Sequence, residues 1–147
     1  MIHILSMKQL ESLDAYRTAQ DLAAQAYRLT QVTPLTKHFA LIDQIRRACL
    51  SVPANIAEGY ALGTTLQFIR CLRISLGSAA ELRSHLDIAK RLGLADAQEL
   101  DSTIALALRV IAILIGLLRK LDRNMTSRVP FPVSRVPIKP AHPQSIS

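Results

Sequence analysis

Arg47, Ser51, Asn55 and Glu58 recur at steps of four, four and three within "RRACLSVPANIAEGY", residues 46–60. On a helix that spacing lines them along one flank. A row of hydroxyl, amide and carboxylate groups could bind a polar ligand. Glu58 and Glu81, the only carboxylates between residues 44 and 86, could do acid–base or metal work from facing helices. The partners for such chemistry are sparse. His3, His38, His85 and His142 are scattered, and none is read as standing at i, i+4 from another histidine or a metal-binding carboxylate. The chain has no G-x-S-x-G, no phosphate-cradling glycine loop and no dinucleotide fingerprint. Di-metal bundles use four carboxylates with E-x-x-H motifs, which are missing here. The expectation is a protein that is not an enzyme, with no metal and no cofactor.

Pro53 interrupts the polar flank. It removes one backbone donor and crowds the carbonyl of Cys49, so the helix must kink or restart there. One reading makes the kink a ligand notch lined by Asn55 and Glu58. The favoured reading is structural, because buried polar groups are usually satisfied internally. In it, Ser51 or Asn55 bonds the freed backbone and Glu58 pairs with an arginine of a neighbouring helix. Gly59 then closes the turn. Cys49 and Cys71 form no C-x-x-C or Cys/His cluster and occupy apolar helical positions, as small buried residues do.

Four helical segments must position these groups. The first runs from about residue 13 to 30, with Leu13, Tyr16, Ala19, Ala23, Ala26 and Tyr27 on a broad face. The second runs from about 37 to 58, with Leu41, Ile45, Ala48, Cys49, Val52 and Ile56 as its core stripe. The third opens on Thr64, with Gln67 at the capping-box spacing, carries Phe68, Leu72, Leu76, Ala79, Leu82, Leu86 and Ala89 at steps of three and four, and ends at Gly93 after two cations. The fourth, from Asp96 to about Lys120, places Leu100, Ile104, Leu108, Ile111, Ile115 and Leu118 on one face and is apolar around most of its girth. An all-α, antiparallel up-and-down four-helix bundle over residues 11–121 is expected, after a short N-terminal extension (1–10). The surplus apolar surface of the last helix predicts a homo-oligomer.

Residues 122–147 hold five of the seven prolines and are expected to form a disordered or extended basic tail. The opening "MIHILSM" lacks a basic segment and a cleavage site, and Met7 is an alternative initiator. No apolar run reaches the roughly 20 residues of a membrane span. A cytoplasmic protein without membrane contact is expected.

The net charge is +7. Residues 44–91 carry seven basic and three acidic groups, and the tail from 122 onward adds +3. This balance points to a polyanionic partner. Arg46, Arg47, Arg70, Arg73, Arg83, Lys90 and Arg91 are the candidate contacts. Adjacent helical residues diverge by about 100°, so one of Arg46 and Arg47 should face outward. Arg47 is expected to be the one that pairs internally.

"QIRRACLSVPANIAEGY" resembles the signature of bacterial four-helix bundle proteins first noted as reading frames within intervening sequences of 23S ribosomal RNA genes. Gln44, Arg46, Arg47, Ser51, Pro53, Asn55, Ala57, Glu58 and Gly59 carry the match. A second block, "FIRCLRISLGSAAELRSHLDIAKRLGL", is similar through Phe68, Gly77, Ser78, Glu81 and Leu82. The resemblance covers roughly residues 11 to 121 and implies a bundle assembling as a homopentamer. Distant relatives serve as accessory proteins of diversity-generating retroelements, where a basic pentamer binds nucleic acid and a reverse transcriptase. The expected function is therefore a non-enzymatic oligomer binding nucleic acid, structured RNA above all. The alternative is an interaction scaffold that recruits a partner such as a reverse transcriptase.

Overall fold

The structure, a computed structural model, describes residues 13–126. Four helices follow one another: α1 (Asp14–Leu29), α2 (Phe39–Ala61), α3 (Thr65–Arg91) and α4 (Ala97–Thr126). A single turn of 3₁₀ helix, Leu35–Lys37, lies between α1 and α2. Each helix packs on its chain neighbours, and α4 returns to pack on α1. This closes the antiparallel up-and-down bundle that the short connections required, and no strand occurs among the described residues. The expected tail beyond α4 and the N-terminal extension lie outside the described residues.

The ends of the helices follow local chemistry. Thr64 caps α3 by accepting from the Gln67 amide at 3.2 Å, and its own hydroxyl donates to the Gln67 side chain at 2.9 Å. Asp96 caps α4 by accepting from the Glu99 amide at 2.9 Å. Gly93 ends the α3–α4 side of the loop at φ +64°, the left-handed conformation that only glycine adopts at no steric cost.

The core is a continuous cluster of Leu, Ile, Val and Ala from all four helices, with Leu22, Ile45, Ile56, Leu72, Leu82, Leu86 and Leu114 fully enclosed. For α2 and α3 the buried stripe is close to expectation, save that Leu41, Phe68 and Leu76 are half-buried and Ile42 takes an inner place. On α4 the stripe is rotated. Leu100, Thr103, Ala107, Val110, Leu114 and Leu118 are buried, whereas Ile104, Ile111 and Ile115 are half-buried and Leu108 is 42% exposed. Thr103, Ala107 and Val110 take inner places between the buried leucines, where α4 packs on both α1 and α3, and Ile104, Leu108, Ile111 and Ile115 fall on its flanks. The helix also continues to Thr126, past the expected end near Lys120.

Candidate nucleic-acid interface

The polar side chains around Pro53 bond to one another and to nearby backbone. α2 runs without interruption through Pro53. The Asn55 side-chain amide donates to the Ser51 carbonyl at 2.8 Å and to the Ser51 hydroxyl at 2.9 Å. Ser51 and Ser78 hydroxyls lie 2.8 Å apart across the α2–α3 seam. The Ser75 hydroxyl donates to the Val52 carbonyl at 2.8 Å. These side chains reach the carbonyls of Ser51 and Val52, whereas the carbonyl that Pro53 deprives of its helical donor is that of Cys49, so the expected bond from Ser51 or Asn55 to the freed backbone is corrected. Among the described residues no buried side-chain nitrogen or oxygen lacks a hydrogen-bond partner.

Two further details of the expected motif are corrected. Glu58 is exposed and makes no ion pair among the described residues. It sits near the α2 terminus, where solvent already satisfies a carboxylate. Gly59 does not close the turn, because α2 continues to Ala61. It is buried, and a Cβ there would stand 2.6 Å from the Cys71 Cβ, so glycine permits the close approach of α2 to α3. Cys49 and Cys71 are free and buried. Burial pushes the Cys49 thiol up to about 11, against weaker opposition from backbone hydrogen bonds and Arg46.

Glu58 and Glu81 are not brought together. Ser51 faces Ser78, which sets the register of α2 against α3 and puts the two carboxylates on different levels of the bundle. Glu81 instead approaches His85, with Oε1 3.2 Å from Nε2. These residues are four apart on α3, so the expectation that no histidine has a carboxylate at i, i+4 is corrected. The pair is local: no group of three His, Cys, Asp or Glu side chains gathers at metal-binding range among the described residues. An open cleft of about 710 Å³ lies between the end of α1 and the start of α4, lined by Gln25, Arg28, Val32, Asp96 and Glu99 among others. Its two carboxylates and one guanidinium leave no assembled nucleophile or base pair.

The seven candidate cations do not form one patch. Arg46 and Arg47 exchange their expected roles. Arg46 turns inward, its Nε donating to the Thr30 hydroxyl at 2.8 Å and its Cζ standing 4.6 Å from the Tyr27 ring centroid. Arg47 is exposed and makes no ion pair among the described residues. The exchange follows from the wheel, since position 46 faces α1 and position 47 the outside. Arg73 pairs with Asp122 at 3.7 Å, Arg83 with Asp87 at 3.7 Å, and Lys90 with Asp101. All three pairs are exposed and contribute little to stability. Arg70 and Arg91 are exposed and make no ion pair among the described residues, but they stand near opposite ends of α3.

A tighter cluster includes residues that the sequence reading passed over. Arg119, Lys120 and Arg123 occupy the last turns of α4 and are exposed. The Arg73–Asp122 pair brings that stretch against the start of α3, next to Arg70. The α3–α4 side of this pole therefore carries Arg70, Arg73, Arg119, Lys120 and Arg123 against Asp122. Asp14 and Glu58 stand at the same end on α1 and α2. The far end of α4 is acidic, with Asp96, Glu99 and Asp101. The signal was present as Arg119 and Arg123 at i, i+4, but ending the helix near Lys120 concealed it.

The comparisons with known proteins agree with the fold. A crystal structure of a protein of unknown function from the S23 ribosomal protein family of Bacteroides thetaiotaomicron superposes with a TM-score of 0.65 at 22% identity. The match covers 71% of this chain and 98% of that one, which shows a shared fold. No curated protein matches the chain. No helix among the described residues is long and apolar enough to cross a membrane. The family model of the 23S rRNA-intervening sequence protein matches residues 11–116, spanning all but the last turns of the bundle, and the chain belongs to that family.

Proposed function

We propose that the protein is a non-enzymatic homo-oligomer that binds nucleic acid, structured RNA in preference, through the basic pole at the start of α3 and the end of α4. The observation that carries the reading is the concentration of Arg70, Arg73, Arg119, Lys120 and Arg123 around a single carboxylate on two packed helices. Phosphate contacts by such side chains release counterions and supply affinity that falls with salt. The family description, tied to 23S rRNA, favours RNA as the polyanion. Arg47 and Arg91 are secondary contacts, and Arg46 acts within the fold.

Self-association is supported by the outer face of α4. Leu108 and Ile115 lie there with Ala105, Ala112 and Gly116. The Arg73–Asp122 and Lys90–Asp101 pairs set the register of α3 against α4 and put Gly77 level with Gly116. A Cβ at either glycine would meet nothing within 4 Å. A helix interior ordinarily loses about 1 kcal/mol to each glycine, and a closely approaching second copy would offset that loss. A pentamer, in the cytoplasm, is the assembly proposed. The pole would then be repeated around it, turning weak single-chain contacts into avid ones.

The test is an anisotropy titration with an RNA hairpin, duplex DNA and single strands at two salt concentrations, run beside light scattering. Binding at low salt that weakens steeply at physiological salt, and weakens again in Arg119→Glu/Arg123→Glu, is expected. Absence of binding at low salt overturns the nucleic-acid reading and leaves the scaffold reading, for which the 78%-exposed Phe39 marks a protein contact. A monomer at micromolar concentration overturns the oligomer.

A further inference from the structure

The basic pole has an apolar tip. The turn from α2 to α3 lies at this end of the bundle and leaves Leu62 and Leu66 47% and 66% exposed. Leu66, Arg70 and Arg73 follow at i, i+4 and i+7, so they share one outward face of α3. At 1.5 Å per residue, Leu66 stands about 6 Å beyond Arg70 along the helix axis. Exposed leucines beside a row of cations mark a contact that is apolar at its tip and charged behind it.

The same turn holds a shallow pocket of about 90 Å³, lined by Gly59, Tyr60, Gly63, Thr64, Thr65 and Phe68. Tyr60 and Phe68 meet edge to face there, with ring centroids 5.9 Å apart and planes at 77°. The Tyr60 and Thr65 hydroxyls have no hydrogen-bond partner among the described residues, and neither is buried. Ring carbons, leucine methyls and free hydroxyls together fit a nucleobase, whose faces are apolar and whose edges carry donors and acceptors. Glu58 stands one turn before Leu62 on α2, exposed and without an ion pair among the described residues. A carboxylate at that place repels phosphate and an anionic lipid surface alike, yet it accepts from the amino group of a base. The tip therefore suits bases, and the cations behind it suit phosphates.

We propose that the α2–α3 turn is a base-contacting tip, in which Leu62, Leu66 and the Tyr60–Phe68 pocket receive an unpaired nucleotide while Arg70, Arg73, Arg119 and Arg123 hold the phosphates of the adjoining duplex. The inference rests on the nucleic-acid reading above and narrows its ligand to RNA with unpaired bases beside a duplex, as in a hairpin loop. In a perfect duplex the bases are stacked inside and the tip meets only backbone, whereas in a loop they are splayed within reach.

The test compares the full chain with its Leu62→Ser/Leu66→Ser variant on a labelled RNA hairpin and a blunt RNA duplex with the same number of phosphates, at low salt. Both leucines are exposed, so assembly mass and thermal unfolding should not change. A base contact of ordinary strength makes the wild type bind the hairpin about five- to a hundredfold more tightly than the duplex. The variant is expected to lose that preference while keeping its duplex affinity and its salt dependence, since no charge is removed. Equal affinity of the wild type for hairpin and duplex, or a preference that survives in the variant, overturns the tip and leaves the pole, whose binding Arg119→Glu/Arg123→Glu still weakens. A changed assembly mass also overturns it, because the turn would then lie between copies. Phosphatidylglycerol vesicles that bind the wild type but not the variant, with no hairpin preference, assign the tip to a lipid surface instead. Failure of the full chain to bind either RNA at low salt removes the nucleic-acid reading itself.

Discussion

Arg46 of α2 lies over the ring of Tyr27 on α1, with Cζ 4.6 Å from the ring centroid, while its Nε donates to Thr30 at 2.8 Å. The Thr30 hydroxyl is fully buried and in turn donates to the Tyr27 carbonyl at 2.6 Å. One guanidinium thus fastens α2 to the end of α1 through both a ring face and a hydroxyl, a pairing that needs a planar cation with a donor at Nε. Arg46→Ala is expected to cost about 2 kcal/mol, from the lost cation–π contact and the lost charged hydrogen bond. Arg46→Lys should recover only part of that, because an ammonium cannot satisfy both partners. Arg47→Ala should stay within about 0.5 kcal/mol. Thermal or denaturant unfolding of the three variants checks the order.

Glycines on the two sides of α3 should respond in opposite directions. Gly59→Ala drives a Cβ to 2.6 Å from the Cys71 Cβ, and the two helices must separate. A loss of roughly 1–3 kcal/mol is expected, as for other overpacked cores. Gly77→Ala adds a methyl group into open space and improves helix propensity. At concentrations where the chain is dissociated, it should gain up to about 1 kcal/mol. Equal effects from the two substitutions would contradict the packing described at the α2–α3 seam.

Cys49 makes the stability pH-dependent at the alkaline end. Its folded-state value of about 11 lies above the ordinary thiol value of 9.0. Above that ordinary value the unfolded chain releases the thiol proton and the folded chain keeps it. The unfolded state then binds fewer protons, so stability falls as pH rises. The decline should begin near pH 9 and level off above pH 11, with a total on the order of 2–3 kcal/mol. The difference between wild type and Cys49→Ala, measured by urea unfolding from pH 7 to 11, isolates it from other titrations. A pH-independent difference would show that the thiol ionises alike in both states.

Asp122 is the carboxylate within the α3–α4 pole and it engages Arg73. Asp122→Asn removes a negative charge and releases a guanidinium toward solvent. On the proposed function, affinity for duplex DNA or RNA should rise several-fold at low salt, and the salt slope should steepen by about 0.9. Asp101→Asn at the acidic end should leave binding unchanged. Anisotropy titrations of both variants give the comparison.

Much of the fold was legible before any coordinates. Periodicity located the helices of α2 and α3 and most of their buried positions, and Thr64 and Gly93 marked the ends of α3. The α4 stripe was not legible, because a helix apolar around its girth has no preferred face until neighbours choose one. Its last turns were hidden for a related reason. Residues 121–126 mix Leu121 and Met125 with charges, and only packing on the core extends the helix over them. For the candidate site, residue type identified the cations but not their company. Arg119 and Arg123 join Arg70 and Arg73 through the antiparallel return of α4, a contact between residues almost fifty positions apart.

By itself the sequence determined the class of the fold, the polar flank on α2 around Pro53 and the positive balance of the chain. These depend on local spacing and composition, and such properties are carried by each segment alone. Tertiary structure decided which arginine of the Arg46–Arg47 pair turns inward, why residue 59 is glycine, and where the positive charge collects. Those depend on what stands opposite each side chain. Tyr27, Cys71 and Asp122 are distant partners, and only the packing of the helices brings them into reach.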